Sequence, residues 1–294
     1  MAGEGGGANG GGREGSTAER RVMEELKTII RKKLEEGADA FLCLVDEEGS
    51  PVPALVTDAD SPDLDRVMVG EVRYPLGKLL IELLREYPDK RFAVLVRGCD
   101  QRALVELAKL GQVEMDRVVM VGLACSREEA LSCGCRQPYP GQVDLGEKAE
   151  PSPSRQTVQE AESLPERERL RFWEEHFSRC IKCYGCRNVC PMCFCRDCAL
   201  ENPQLVEPGV MPPRFPSFHL IRALDMAGRC IDCGLCEEAC PAGIPLRALY
   251  RKMQEVMEER FGYRPGEDPE RSNPLAELGT EDEIRRLSGS GLGS

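Results

Sequence analysis

The chain has 294 residues, of which 41% are hydrophobic, and this allows one sizeable core and a second small domain. Its formal net charge of −12 argues against a nucleic-acid partner, because phosphate binding needs a basic surface. No stretch reaches the roughly 18 consecutive apolar residues of a membrane span, so no membrane span is expected.

The N-terminal part opens with a glycine-rich segment, residues 1–17, which has no apolar run and is predicted to be disordered. Because nothing in it directs secretion, we expect a soluble, cytoplasmic protein. The patterns that follow predict helix 18–36, strands 40–45, 52–57 and 66–69, helix 75–87, strand 91–97, helix 100–110 and strand 117–123. A strand, a helix and a strand in succession are typical of a parallel unit, so residues 18–136 are predicted to form an α/β domain with parallel strands.

The rest of the chain is predicted to be mostly α-helical. Residues 137–164 are rich in Pro, Ser, Gln and Glu, which favours a linker. Helices are predicted to begin at Pro165, near Phe218 and after Pro241. We expect a helical domain over residues 165–262 and a disordered polar tail over residues 263–294.

Two cysteine runs repeat one spacing, C-x-x-C-x-x-C-x-x-x-C-P, from Cys180 to Pro191 and from Cys230 to Pro241. This spacing is typical of a pair of 4Fe-4S clusters, in which one curled loop offers three thiolates and the fourth cysteine crosses to the other cluster. The predicted ligands are therefore Cys180, Cys183, Cys186 and Cys240 for the first cluster, and Cys230, Cys233, Cys236 and Cys190 for the second.

Structural zinc and disulfides are the alternatives for these cysteines. A zinc ion is held by two C-x-x-C pairs, and a third cysteine at the next step followed by C-P is superfluous for it. Disulfides are rare in the cytosol, where crowded cysteines usually indicate metal or redox chemistry. The two clusters are therefore the favoured interpretation.

Eight of the sixteen cysteines lie outside the two motifs, and Cys43, inside a predicted strand, is expected in the core. Cys99 and Cys125 follow strand ends, where ligands gather in α/β folds, and Cys133 and Cys135 come shortly after. These four are candidates for a third cluster; the alternative is that Cys99 and Cys125 are small buried hydrophobes. Three more candidates, Cys193, Cys195 and Cys198, directly follow the first motif. They either bind another centre with a donor from the α/β domain, or tune the first cluster, or are unligated.

Residues 228–241 read G-R-C-I-D-C-G-L-C-E-E-A-C-P. This segment resembles the helical dicluster ferredoxin domain of heterodisulfide reductase small subunits. The same domain occurs in the iron-sulfur subunits of anaerobic glycerol-3-phosphate and succinate dehydrogenases. Two segments of the α/β part are similar to the β-subunit family of deazaflavin-dependent hydrogenases and formate dehydrogenases. They are L-V-R-G-C-D-Q-R-A-L at Leu95–Leu104 and V-G-L-A-C-S at Val121–Ser126. Members of that family bind flavin and a cluster and pass electrons to a deazaflavin cofactor.

No nucleotide-binding loop, nucleophile elbow or metalloprotease motif is present, so the chain shows no bond-making machinery of its own. The first hypothesis is therefore a non-catalytic electron-transfer subunit in an anaerobic complex, whose catalytic partner is a hydrogenase, a formate dehydrogenase or a heterodisulfide-reductase-like subunit. The alternative is a flavin-containing oxidoreductase β-subunit that reduces a diffusible deazaflavin or nicotinamide cofactor, with flavin held at Arg97, Gly98 and Asp100. A redox sensor that uses the surplus cysteines as its switch is a third possibility.

Overall fold

The computed structural model describes residues 17–70 and 72–276. The α/β part contains, in chain order, helix α1 (Thr17–Glu35), strands β1 (Ala40–Glu47), β2 (Ser50–Val56) and β3 (Val67–Met68), helix α2 (Leu76–Glu86), strand β4 (Phe92–Val96), helix α3 (Gly98–Lys109), strand β5 (Val118–Gly122) and helix α4 (Arg127–Cys133). The helices that follow are α5 (Gln156–Ser163), α6 (Glu166–Phe177), α7 (Gly185–Asn188), α8 (Ser217–Met226), α9 (Leu235–Glu238) and α10 (Leu246–Phe261).

One mixed sheet forms the N-terminal part, with the strand order β2-β1-β4-β5. Strand β4 is parallel to both β1 and β5, whereas β2 and the short β3 pair with β1 in the antiparallel direction. All five residues of β4 are buried, which is the pattern of a central parallel strand covered on both faces. The predicted fold class, an α/β domain with parallel strands followed by a mostly helical part, is confirmed.

The two faces of the sheet pack against different helices. On one face, Leu26 and Ile30 of α1 join Phe41 and Cys43 in a hydrophobic cluster. Cys43 is completely buried there, as the sequence predicted for a core residue. On the other face, α2 and α3 pack on β1 and β4, so the sheet has a helical layer on each side.

The cysteine-rich helical part packs against the α2–α3 layer. The hydrophobic cluster that contains Leu80 of α2 and Leu104 of α3 continues into Met226 of α8, Cys236 of α9 and Tyr250 of α10. The two parts of the chain therefore share one continuous core, and most cysteines of the two motifs pack against it. None of the helices in the described ranges is both long and apolar enough to cross a bilayer.

Two predicted flexible segments differ from the prediction. Within the predicted linker, residues 137–164, Leu145 is buried and its carbonyl accepts a hydrogen bond from Ala124 N at 2.9 Å, so this stretch covers the end of β5. Within the predicted tail, Tyr263 is buried and its hydroxyl lies 2.9 Å from Glu106 Oε1 of α3. Both segments are polar in composition, but specific hydrogen bonds hold them on the core. Residues 1–16 and 277–294, where disorder was also predicted, lie outside the described residues.

Candidate iron-sulfur centres

The two cysteine motifs fold into the same loop shape. Lys182 and Asp232, each two residues after the first cysteine of its motif, both have positive φ, at 52° and 55°. Tyr184 and Gly234, two residues further on, also have positive φ, at 59° and 83°. A left-handed conformation is unfavourable for non-glycine residues, so its repetition at equal offsets indicates that both loops must curl in the same way.

Backbone amides of these loops point toward the cysteine sulfurs. Lys182 N lies 3.4 Å from Cys180 Sγ, Gly185 N lies 3.5 Å from Cys183 Sγ, and Ile244 N lies 3.5 Å from Cys240 Sγ. Such N–H groups stabilise negative charge on thiolates, and concave arrays of them are typical of iron-sulfur sites. The loops are thus shaped to hold anionic sulfur.

The four predicted ligands of the first cluster line one cavity. Cys180, Cys183 and Cys186 come from the first motif, and Cys240 enters from the second. Apolar side chains close the walls, among them Phe218 and Leu246. This donor set of four thiols in an apolar shell fits a 4Fe-4S cluster. Cys183 is exposed, so the cavity lies near the protein surface.

Among the predicted ligands of the second cluster, Cys236 is buried, and Cys230 and Cys233 are half-buried. Burial raises the pKa of the Cys230 thiol to about 11, and it raises the pKa of Cys233 well above its ordinary value, with Cys230 and Cys236 among the neighbouring charges. Thiols in this state are poor anions until a metal centre stabilises the thiolate.

The fourth ligand of this set, Cys190, comes from the first motif. Its Sγ lies 3.9 Å from Met226 Sδ of α8, and Cys190 interacts electrostatically with Tyr250, as do Cys236 and Cys186. Cys190 thus lies near cysteines of both motifs, and its assignment to the second cluster stays a prediction.

All sixteen cysteines lie in the described part of the chain, and none of them forms a disulfide. Within the same residues, no three His, Cys, Asp or Glu side chains converge as tightly as a single metal ion requires. A cubane cluster needs a wider arrangement, because each of its cysteines binds a different iron.

Four of the remaining cysteines converge beyond the ends of β4 and β5. Cys99, Cys125, Cys133 and Cys135 line one cavity, together with the arginines Arg73 and Arg247. Burial raises the pKa of Cys125 to about 12, whereas a hydrogen bond from Cys135 lowers the pKa of Cys133 below its ordinary value. Arg247 Nη2 lies 3.6 Å from Cys133 Sγ and adds to this effect.

This cavity borders the second motif. Cys99 interacts electrostatically with Cys233, and Arg73 Nη1 donates to the Cys233 carbonyl at 2.7 Å. Carboxylates also line the cavity, namely Glu128, Glu129, Asp232, Glu237 and Glu238. The cavity therefore offers four thiols next to the second predicted cluster, in surroundings that contain both signs of charge.

The other three surplus cysteines lie elsewhere. Cys193, Cys195 and Cys198 line a separate cavity with Arg187 and Arg222. The α/β part contributes Lys78, Glu82 and Arg85 to its lining, and none of the described α/β residues that line it is a cysteine. Cys193 Sγ accepts a hydrogen bond from Arg222 Nη1 at 3.1 Å. The seven candidates for a third site thus separate into two groups.

The residues predicted to hold flavin are occupied by internal contacts. Arg97 donates to the Gly70 carbonyl and pairs with Glu129 at 3.1 Å, while Asp100 Oδ2 accepts from Arg97 N at 2.9 Å. A side chain at Gly98 would collide with the backbone of residues 137–139, which cover this end of the sheet. The crevice is filled by the segment that the sequence predicted to be a linker, so these three residues do not line an open flavin pocket.

Arginines are the functional candidates that the sequence analysis missed. Arg73, Arg222 and Arg247 each approach cysteine sulfur or the backbone carbonyl of a cysteine. Arg222 stands in the F-H-L-I-R-A-L-D-M segment of α8, and an arginine inside an apolar helical pattern was the one signal available. The partners of Arg73 and Arg247 are more than a hundred residues away, so no local pattern identifies them.

Comparisons with known proteins agree with this geometry. The 4Fe-4S binding domain family matches residues 226–245, which include the second motif. The F420-dependent formate dehydrogenase subunit beta of Methanocaldococcus jannaschii is 26% identical, over 84% of this chain and 91% of that protein. The F420-dependent formate dehydrogenase 1 subunit beta of Methanococcus maripaludis is 39% identical over 34% of this chain and 26% of its own length. Lactate utilization protein B of Bacillus cytotoxicus is 34% identical over 30% of this chain.

Proposed function

We propose that this chain carries two 4Fe-4S clusters as a short electron relay. The chain is an iron-sulfur electron-transfer subunit, and its 4Fe-4S ferredoxin region is joined to an α/β domain that resembles formate dehydrogenase β subunits. Cys180, Cys183, Cys186 and Cys240 hold the first cluster, and Cys230, Cys233, Cys236 and Cys190 hold the second. The observation that carries the proposal is the cavity lined by three cysteines of one motif and the last cysteine of the other.

A third 4Fe-4S cluster at Cys99, Cys125, Cys133 and Cys135 extends this relay. Its support is the cavity that these four cysteines share, and the position of Cys99 beside Cys233 of the second ligand set. Loaded with clusters, the three ligand sets would connect the α/β domain with the exposed Cys183 of the first set. Cys193, Cys195 and Cys198 are left unligated.

The partner is a catalytic redox subunit. Of the three classes considered, the formate dehydrogenase type is favoured by the relative from M. jannaschii, which is named as a β subunit of that enzyme and is matched over most of its length. A hydrogenase or a heterodisulfide-reductase-like subunit are the alternatives. The chain itself supplies one-electron transfer between this partner and a second redox carrier.

The decisive experiment is metal analysis of anaerobically purified full-length protein, combined with electron paramagnetic resonance. We expect about twelve irons per chain and spin-coupled signals from neighbouring reduced clusters. About eight irons would support the two crossed clusters without the third. Four or fewer, or zinc in place of iron, would contradict the proposal.

A flavin-containing subunit that reduces a diffusible deazaflavin is the second candidate, and the F420-dependent name of the two formate dehydrogenase relatives favours it. Flavin would have to bind outside the filled crevice at Arg97, Gly98 and Asp100. Acid precipitation of the purified protein and fluorescence of the supernatant test this directly. Cluster-loaded protein that releases no flavin would exclude the second candidate and leave the relay intact.

A further inference from the structure

Arg222 of α8 is a buried cation without a carboxylate partner. Its side chain is only 2% exposed. Nη1 donates to Cys193 Sγ at 3.1 Å and Nη2 donates to the Cys186 carbonyl at 2.8 Å, while Nε has no hydrogen-bond partner. Within the described residues, Arg222 forms no ion pair. A buried charge that lacks a counter-ion is strongly unfavourable, so the environment of Arg222 is incomplete without an anion.

Tyr250 of α10 presents a second incomplete group to the same place. It is also 2% exposed, and its hydroxyl is buried without a hydrogen-bond partner. The Arg222 guanidinium carbon lies 5.6 Å from the centre of the Tyr250 ring. A buried hydroxyl that makes no hydrogen bond costs about 1–3 kcal/mol, so this position also indicates a missing acceptor.

Both groups lie between the two predicted ligand sets. Tyr250 interacts electrostatically with Arg222, Cys236, Cys186 and Cys190. Arg222 interacts electrostatically with Tyr250 and Cys190, and it donates hydrogen bonds to Cys193 Sγ and to the Cys186 carbonyl. Cys186 belongs to the first ligand set, and Cys190 and Cys236 belong to the second. A donor here therefore lies near cysteines of both sets.

An iron-sulfur cluster held by four thiolates supplies what Arg222 and Tyr250 lack. It is anionic, and its inorganic and cysteine sulfurs accept hydrogen bonds. Reduction adds one electron, taken from the redox partner, and makes the cluster more negative by one charge. A fixed cation and a hydrogen-bond donor stabilise the more negative state, which raises the reduction potential.

We infer that Arg222 and Tyr250 raise the reduction potentials of both clusters. This inference rests on the two clusters of the proposed function. Arg222 acts as the shared counter-charge, and the Tyr250 hydroxyl acts as a hydrogen-bond donor to cluster sulfur. Together they keep neighbouring centres reducible, although each reduced cluster repels an electron on the other.

The test is a redox titration of the full chain, purified anaerobically and followed by electron paramagnetic resonance, for the variants Arg222→Met, Arg222→Lys and Tyr250→Phe. For Arg222→Met we expect the equilibrium constant for cluster reduction to fall at least tenfold. This corresponds to a decrease of about 59 mV in the reduction potential for one electron. For Tyr250→Phe we expect a smaller shift in the same direction. Arg222→Lys retains the charge and should lie between wild type and Arg222→Met.

Arg117→Met and Tyr263→Phe are matched controls. Arg117 donates to the carbonyls of Lys90, Leu84 and Tyr87, and Tyr263 bonds to Glu106, so both are largely buried groups with polar partners away from the cysteines. Their cluster potentials should equal those of wild type.

Iron content separates the outcomes. If Arg222→Met and Tyr250→Phe keep their full iron content and their reduction potentials match those of the controls, this inference alone would be overturned. If Arg222→Met fails to retain iron, Tyr250→Phe, which removes a single oxygen, decides the matter by its potential. Wild-type protein without the two clusters would overturn the proposed function, and this inference with it.

Discussion

Arg247 Nε lies 2.5 Å from Asp232 Oδ1, inside the loop of the second cysteine motif. The same guanidinium reaches across to the α/β part, where Nη1 donates to the Cys133 carbonyl at 2.5 Å. Arg251 also binds Asp232, at 2.9 Å, and donates to the Gly134 carbonyl at 2.8 Å. One carboxylate therefore orients two arginines that hold the C-G-C loop against the second motif.

Replacing Asp232 by Asn should strongly weaken the junction between the Cys133–Cys135 loop and the second cysteine motif. Burial alone would raise the pKa of Asp232, but Arg247 and Arg251 hold it below its ordinary value, so the carboxylate is charged at neutral pH. Asp232→Asn leaves two largely buried cations uncompensated, and we expect the free energy of unfolding to fall by about 3–5 kcal/mol. Guanidinium unfolding under anaerobic conditions, followed by circular dichroism, measures this.

Asp39→Asn is the matched control for this variant, because Asp39 pairs with Lys90 at 2.8 Å on the surface. Its cost should stay within about 1 kcal/mol. Because the folded-state pKa of Asp232 is lowered, its contribution is complete at neutral pH and is lost only as the pH falls through that lowered value. The gap between wild type and Asp232→Asn should therefore be constant between about pH 6 and 8. Equal costs for the two variants would show that the junction does not depend on Asp232.

Double variants test whether the fourth cysteines cross. If Cys240 serves the first cluster, Cys183→Ser with Cys240→Ser removes two ligands of one cluster, and about four irons should be lost. Cys183→Ser with Cys190→Ser removes a ligand from each cluster, and about eight irons should be lost. Iron analysis of the two proteins, prepared in parallel, measures the difference. The reverse order of losses would mean that each motif binds its cluster with its own four cysteines.

The third site has its own control within the chain. Cys133→Ser with Cys135→Ser should remove about four irons and leave the signals of the other two clusters in place, because these thiols line a separate cavity beside Cys99 and Cys125. Cys195→Ser with Cys198→Ser should leave the iron content unchanged. Loss of iron from the second pair, and none from the first, would move the third site to the cavity beside Arg187 and Arg222.

The sequence was most informative where chemistry depends on local spacing. The repeated motif predicted both loops, and those loops have matching positive-φ residues at Lys182 and Asp232. The uninterrupted apolar run of β4 predicted a buried parallel strand, and the rule that ligands gather at strand ends placed Cys99 near Cys125. These inferences succeeded because each rests on a short stretch of chain with one favourable conformation.

Long-range polar contacts could not be predicted in this way. Nothing near Arg247 in the sequence specifies Cys133 as a partner, and nothing near Glu106 indicates that Tyr263 will bind it. The same limit explains the two segments predicted to be flexible. A polar composition shows only that a segment lacks a hydrophobic core of its own, whereas its order here comes from several hydrogen bonds to other parts of the chain and from buried side chains such as Leu145 and Tyr263.

The segment after α10 offers the sharpest test of that order. Glu106 of α3 is completely buried, and it accepts hydrogen bonds from Tyr263 Oη at 2.9 Å and from Gly266 N at 2.9 Å. Gly266 has a φ of 75°, and a Cβ there would collide with the backbone of Arg102. Gly209 has nearly the same φ, 73°, but its Cβ would meet nothing within 4 Å.

Gly209→Ala and Gly266→Ala therefore differ only in packing. Each should lose about 1–2 kcal/mol for the left-handed backbone, and Gly266→Ala should lose several kcal/mol more, because the segment must move off α3 and leave Glu106 without two of its donors. Thermal unfolding of the two variants in one anaerobic series measures the difference. A disordered tail, as composition alone predicted, would make Gly266→Ala the milder of the two, since a flexible segment has no backbone to collide with.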